Sequence, residues 1–136
     1  MGYVEQAYAL QNNFTYASVK NKAGNFVAPS LQSTTAAAQG VTVPANLGIK
    51  VSNPAGAQAY AITSQTFIVV NEDLCKAGIP GGENAAKGVV KFITYGLNEG
   101  QSILAKADYA SLPASILEKS KAAASGLQCN GATISG

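Results

Sequence analysis

Thr66-Phe67-Ile68-Val69-Val70 is the strongest structural signal in the chain. Its residues are β-branched or aromatic, and such residues favour an extended strand. The stretch shows no polar alternation at its end, which is typical of a strand covered on both faces. We therefore predict a buried strand over residues 61–70.

The clearest helical pattern follows at residues 84–97. Ala85, Val89, Ile93 and Leu97 recur at intervals of four, which predicts one buried helix face. The other predicted elements are helices at 4–11, 31–39, 101–107 and 112–125 and strands at 15–20, 26–28 and 47–51. Because helices and strands alternate along the chain, we expect an α/β architecture.

The aromatic residues within these elements are interpreted as core. Phe67 lies in the predicted strand, and Phe92 and Tyr95 lie on the predicted helix. We expect these three rings to pack inside the protein rather than to stack on sugars or bases.

The composition is that of one globular domain. Of 136 residues, 47% are hydrophobic and only 12% are charged, whereas disordered chains are poorer in apolar groups and richer in charge. The net charge of +2 comes from scattered lysines, so we expect no nucleic-acid partner. No apolar run reaches the roughly 18–20 residues of a membrane span, and no signal peptide is expected in this chain.

Two residue types are missing from the sequence, histidine and arginine. Without histidine the commonest general base and metal ligand are absent, and Ser64 or Ser111 cannot join a Ser-His triad. We therefore predict no enzymatic activity, no cofactor and no metal site; the alternative is an enzyme with a Ser-Lys arrangement, for which no particular pair stands out. Without arginine there is no bidentate fork for phosphate or carboxylate.

Two local motifs look like chemical sites at first. Residues 78–88 form a glycine-rich loop, but Lys87 precedes Gly88, which is the wrong order for a phosphate loop. Glu83 also places a negative charge where an anion would bind. The adjacent acids Glu72 and Asp73 are interpreted as a solvated turn.

Three stretches, taken together, resemble the closing third of a bacterial phosphate-binding protein. They are residues 2–9 (Gly2-Tyr3-Val4-Glu5-Gln6-Ala7-Tyr8-Ala9), residues 62–70, and residues 89–113, which end in Asp108-Tyr109-Ala110-Ser111-Leu112-Pro113. Their order and approximate spacing match as well. One departure is Tyr60-Ala61, where that family commonly has a Trp-Pro pair.

The resemblance implies part of a two-lobed periplasmic-binding-protein fold of type II. Residues 1–58 would end the second lobe, residues 59–128 would return through the hinge into the first lobe, and residues 129–136 would be a frayed tail. It also implies inorganic phosphate as ligand, an ABC-transporter permease as partner and an extracytoplasmic location. The family's ligand-binding motifs are not found here, so no residue is assigned to a ligand site.

In an extracytoplasmic family, two cysteines favour a disulfide, here between Cys75 and Cys129. The alternative is two unpaired small apolar residues. A parallel sheet is built from strands distant in sequence, so a partial sheet exposes strand edges. We therefore expect a homo-oligomer or a domain swap, and the alternative is a rearranged single domain that closes on itself. The alternative function is a self-associating structural module that does not bind phosphate.

Overall fold

The computed structural model describes residues 2–135 as helices with two small antiparallel sheets. The helices are α1 (Gln6–Gln11), α2 (Leu31–Ala38), α3 (Gly82–Leu97) and α4 (Ala114–Ser125), with 3-10 turns at Glu99–Ser102 and Leu104–Ala107. The strands are β1 (Val19–Lys20), β2 (Phe26–Val27), β3 (Gln128–Cys129) and β4 (Ala132–Thr133). The expected mixture of helix and sheet is confirmed.

The chain divides into two compact units. The first unit contains the residues up to Gln65 and Ser102–Pro113; the second contains Thr66–Gln101 and the residues from Ala114 onward. Helices α1 and α2 and the β1–β2 hairpin belong to the first unit. Helices α3 and α4 and the β3–β4 hairpin belong to the second.

The first unit is held by local capping and by one buried amide. Ser30 and Ser33 form a reciprocal capping box at the start of α2, which satisfies backbone donors at the helix end. The buried Asn21 side chain donates from Nδ2 to the carbonyl oxygens of Ala57 and Ala59, at 2.9 and 3.0 Å. These bonds fix an irregular loop that has no strand partner.

The predicted β1–β2 hairpin is confirmed, although its first strand is shorter than residues 15–20. Val19 pairs with Val27, and Lys20 pairs with Phe26. The predicted strand at 47–51 is wrong, because Leu47 adopts a left-handed backbone with φ 57°. Ile49 and Val51 are nevertheless buried, so this apolar stretch packs without becoming a strand.

The second unit contains a buried hydrophobic cluster, to which helix α3 and strand β3 contribute. The predicted inward face of α3 is confirmed with its centre shifted by one residue: Ala86 and Val90 are buried, whereas the predicted Val89 and Ile93 are half-buried beside them. The buried members of the cluster are Leu74, Ala86, Val90, Leu127, Cys129 and Ile134. This cluster is what positions the residues around Cys75.

The predicted frayed tail is wrong for the described residues. Cys129 pairs with Ala132 across a two-residue turn, Asn130 and Gly131, whose φ values are +52° and +83°. Asn-Gly favours such a turn because both residues tolerate positive φ. Ile134 is buried beyond it, whereas Gly136, the last residue of that predicted tail, lies outside the described residues.

The predicted buried strand at 61–70 is also wrong. No strand is found there, and residues 66–71 make no hydrogen bond among the described residues. Ile68 is 63% exposed and Val69 is 89% exposed. A strand needs a neighbouring backbone to satisfy its N–H and C=O groups, and the described part of this chain places none beside it.

The three aromatic residues predicted to be core are exposed instead. Phe67 is 50% exposed, Phe92 66% and Tyr95 50%. For Phe92 and Tyr95 the reason is that α3 carries apolar residues on two faces, while the second unit covers the face that contains Val90.

Candidate functional site

The glycine-rich loop before α3 does not present a free cation to an anion. Gly81, with φ 93°, precedes the helix, and no side chain caps it. Lys87 Nζ lies 2.7 Å from Glu83 Oε1, within the first turns of α3. The hydrogen bond from Lys87, and then its positive charge, lower the pKa of Glu83. The helix start is therefore occupied by a carboxylate and its own counter-ion.

Asp73 is the centre of the densest polar contacts in the second unit. Its Oδ1 accepts the backbone N–H groups of Lys76 and Asn130 at 3.1 and 2.9 Å. Its Oδ2 accepts the N–H of Gly131 at 2.8 Å and lies 3.5 Å from Lys76 Nζ. One carboxylate thus binds both its own turn and the tip of the β3–β4 hairpin.

The interpretation of residues 72–73 as a solvated turn holds for Glu72, which is exposed, but not for the Asp73 side chain, which is only 13% exposed. Partial desolvation raises its pKa, but the backbone donors of Lys76, Gly131 and Asn130 and the Lys76 charge outweigh it. The net effect is a lowered pKa. The sequence signal that could have predicted this is the turn-forming Asp73 three residues before Lys76, together with the Asn-Gly pair.

The predicted disulfide between Cys75 and Cys129 is confirmed. Their Cα atoms lie 4.7 Å apart, and 54 positions separate them in the sequence. Beside the bridge, the N–H of Leu74 donates to the Gln128 carbonyl at 2.9 Å, and the N–H of Gln128 donates to the Glu72 carbonyl at 2.8 Å. We call residues 72–76 together with residues 128–131 the disulfide corner. Its groups are engaged with one another, which is the arrangement of a structural junction.

In the first unit, two of the three resembling stretches meet. Tyr109 Oη donates to Glu5 Oε1 at 3.1 Å, across 104 positions of sequence. This hydrogen bond, followed by the charge of Glu5, raises the pKa of Tyr109. The contact holds residues 2–9 against residues 102–113. Ser64 and Ser111, the serines considered as nucleophiles, are both exposed.

The second unit also contains an open cleft of about 280 Å³ between the ends of α3 and α4 and the last hairpin. Val90, Leu97 and Ile134 line its apolar side. Thr94 and Lys121 are among its polar residues. Both α3 and α4 end at this cleft, and the partial negative charge of a helix C-terminus repels an anion. The positive charge of Lys121 offsets this repulsion only weakly.

Among residues 2–135, no group of three or more His, Cys, Asp or Glu side chains is placed to hold a metal ion. Within the same residues, none of the helices combines the length and the apolar character needed to cross a membrane.

Comparison with known proteins associates the chain with bacterial phosphate-binding proteins. The relatives are named phosphate-binding protein PstS. The protein of Haemophilus influenzae is 32% identical over 123 residues, and that of Pasteurella multocida is 33% identical over 124 residues. The protein of Xylella fastidiosa is 30% identical over 124 residues. No protein-family model matches the chain.

These matches confirm the resemblance that the three stretches indicate. They cover 89% and 90% of this chain but only 35% and 34% of the first two relatives. The chain therefore spans about a third of the length of the relatives that it matches. This coverage, with the mixed helices and small sheets, is consistent with a partial α/β domain of the periplasmic-binding type.

Proposed function

We propose that this chain is part of the scaffold of a phosphate-binding receptor that serves an ABC transporter. The similarity to phosphate-binding proteins over about nine tenths of the chain is the observation that carries this proposal. In it, residues 1–58 end one lobe, and residues 59–128 return through the hinge into the other. The partner is the transporter's permease.

The residues that bind phosphate are proposed to lie outside this chain. The sequence has no arginine, so the strongest side-chain anchor for phosphate is missing. Lys87 is paired with Glu83 at the start of α3, and the cleft between α3 and α4 lies at helix C-termini. Neither place combines helix N–H groups with a free cation, which is the arrangement that suits phosphate.

An extracytoplasmic location fits the covalent structure. Disulfides persist in oxidising compartments and are rare in the cytosol, and Cys75 and Cys129 form one here. This supports placing the receptor on the side of the membrane where a transporter collects its ligand.

The proposal is tested by transplanting the chain into a longer relative. The matching third of the Haemophilus influenzae protein is replaced by this chain, and phosphate binding is measured by isothermal titration calorimetry. We expect the chimera to bind phosphate, while the isolated chain releases no binding heat at millimolar phosphate. Sulfate serves as the control anion.

Two outcomes would contradict the proposal. Saturable phosphate binding by the isolated chain would mean that it contains a complete site. A chimera with a cooperative unfolding transition but no phosphate binding would mean that this chain does not supply the receptor's scaffold. The unfolding transition separates that outcome from simple misfolding.

A second role, as a self-associating structural module, is favoured by one observation. Apolar and aromatic side chains are widely exposed in the second unit, among them Phe67, Ile68, Val69 and Phe92. Exposed contiguous apolar surface commonly marks an interaction site. In this role the chain associates with a partner whether or not phosphate is present.

A further inference from the structure

Asn130 and Gly131, at the tip of the β3–β4 hairpin, are a chemically reactive pair. Of the asparagines in this sequence, Asn130 is the one that is followed directly by glycine. Because glycine has no side chain to obstruct the approach, its backbone nitrogen reaches the side-chain carbonyl of a preceding asparagine more easily than that of any other residue. Both residues are exposed, so water also reaches them.

The reaction open to such a pair is deamidation. The backbone nitrogen of Gly131 loses its proton and attacks the Cγ carbon of Asn130, which closes a five-membered succinimide ring and releases ammonia. Water then opens the ring at either carbonyl and leaves aspartate or isoaspartate at position 130. One water is consumed and one ammonia leaves, and no oxidant, reductant or cofactor takes part.

The structure holds the attacking nitrogen in its unreactive form. The N–H of Gly131 donates to Asp73 Oδ2 at 2.8 Å, across 58 positions of sequence. Removing this proton would break the hydrogen bond and create a negative charge beside a carboxylate, and both effects disfavour it. Lys76 Nζ, 3.5 Å from the same oxygen, offsets part of the carboxylate charge, but its side chain is 71% exposed and water screens it.

Asn130 is held at its backbone and at its side chain. Its N–H donates to Asp73 Oδ1 at 2.9 Å, and its Nδ2 lies 3.8 Å from Cys129 Sγ. The side-chain amide is thus turned toward the preceding residue, whereas ring closure brings its carbonyl carbon against the following nitrogen. The left-handed φ of 52° belongs to the turn that the hairpin requires. Ring closure therefore needs the hairpin tip to open.

Neither product of the reaction fits the disulfide corner. Aspartate at position 130 adds a second negative charge next to the carboxylate of Asp73, and like charges disfavour each other. Isoaspartate lengthens the backbone by one carbon between positions 130 and 131. Asp73 accepts the N–H groups of both positions, so this longer spacing disrupts the pairing. Either product weakens the contact between the hairpin and residues 72–76.

We propose that Asn130 is a deamidation site and that Asp73 controls its rate by keeping the Gly131 nitrogen protonated. The proposal is independent of phosphate binding and of self-association. It gives the Asp73 carboxylate a protective role in addition to joining two turns. Deamidation at this position opens the hydrogen bonds of the corner while the bond between Cys75 and Cys129 stays closed.

The test incubates the whole oxidised chain at physiological temperature and neutral pH and measures aspartate and isoaspartate at position 130 by peptide mapping with mass spectrometry. We expect Asp73→Asn to accelerate deamidation of Asn130 by about tenfold or more, because a hydrogen bond to a charged group is lost. Glu72→Gln is the matched control, since it removes the neighbouring exposed acid and should leave the rate unchanged. In urea all three proteins should react at the same rate, because the corner is absent there.

Amide hydrogen exchange at Leu74 and Gln128 separates this effect from unfolding, since these amides donate to backbone carbonyls rather than to Asp73. Faster deamidation in Asp73→Asn with both amides still protected supports the proposal. Equal rates in Asp73→Asn and the wild type overturn it. Faster deamidation with that protection lost also overturns it, because Asp73 would then act through folding alone. If position 130 reacts no faster than the other asparagines in Asp73→Asn, the assignment of the site is wrong.

Discussion

Residues 66–71, called segment 66–71, directly precede the disulfide corner in the sequence. The two regions differ in backbone hydrogen bonding and in side-chain exposure. The segment has strand-forming residues, but within residues 2–135 its backbone has no hydrogen-bond partner, and its apolar side chains are exposed. In the corner, which begins at residue 72, the backbone is bonded to Gln128, Cys75 is linked covalently, and Asp73 binds two turns.

The difference shows which structures a chain can complete by itself. A turn or a hairpin is satisfied by groups within a few residues or by one well-placed carboxylate. A central strand must have neighbours on both edges, and these commonly come from distant sequence. Strong strand propensity is therefore not sufficient for a strand.

The largest expected effect comes from opening the disulfide corner. Cys75→Ala with Cys129→Ala should lower the free energy of unfolding of the second unit by about 4 kcal/mol, because the bridge closes a long loop in the unfolded chain. Urea unfolding of the oxidised protein, compared with the double variant, measures this. Equal midpoints would mean that the corner is held by its hydrogen bonds alone.

Two alanine substitutions compare the packing of a side chain in the core cluster with that of a side chain in segment 66–71. Leu74 is 5% exposed in the core cluster, and Val69, five residues earlier, is 89% exposed. Leu74→Ala should cost about 2–5 kcal/mol through lost burial and a cavity. Val69→Ala should change stability by less than about 0.5 kcal/mol.

Both alanine variants are measured by urea unfolding at low protein concentration, so that association does not contribute. A large loss of stability in Val69→Ala would show that segment 66–71 is covered within the monomer.

A smaller and pH-dependent effect is expected from Asp73→Asn. The pKa of Asp73 is lowered below its ordinary value of 3.8 in the folded protein, so the carboxylate stabilises the fold above that pH. This contribution is lost as the pH falls through the depressed folded pKa. The asparagine variant should therefore have a lower urea midpoint than the wild type at pH 7, and the difference should shrink in acid.

The matched control for that experiment is Glu72→Gln, which changes the exposed acid next to Asp73. If the difference in urea midpoint between variant and wild type shrinks equally in acid for both variants, the three backbone hydrogen bonds to Asp73 are not the source of the effect.

Helices and turns were predictable from the sequence because their signals are local. The apolar periodicity of α3 predicted an inward face, and the structure has it one residue further along, with Ala86 and Val90 buried and Val89 half-buried. The helix predicted over residues 4–11 ends as expected at Gln11, and Asn13 just beyond it has the left-handed φ of 54° that asparagine tolerates. The pairing of Cys75 with Cys129 was also predicted, through the resemblance to an extracytoplasmic family.

The errors at Phe92 and Asp73 share one cause, since both depended on partners distant in sequence. Phe92 looked like a core residue because apolar residues on a helix usually are, but the described chain covers only one apolar face of α3. Asp73 looked solvated because its main acceptor role is toward Asn130 and Gly131, more than 50 positions away. Local patterns indicate the turn at residues 73–76 and the turn at residues 130–131, but not that the two turns contact each other.

By itself the sequence determined the positions of the helices, the β1–β2 hairpin, the missing arginine and histidine, and the likeness to phosphate-binding proteins. Only the tertiary structure decided that Asp73 joins two turns, that the residues after Cys129 form a second hairpin, and that residues 66–70 stay unpaired. Helix and turn bonds close between near neighbours, whereas sheet bonds and burial depend on which distant groups come together.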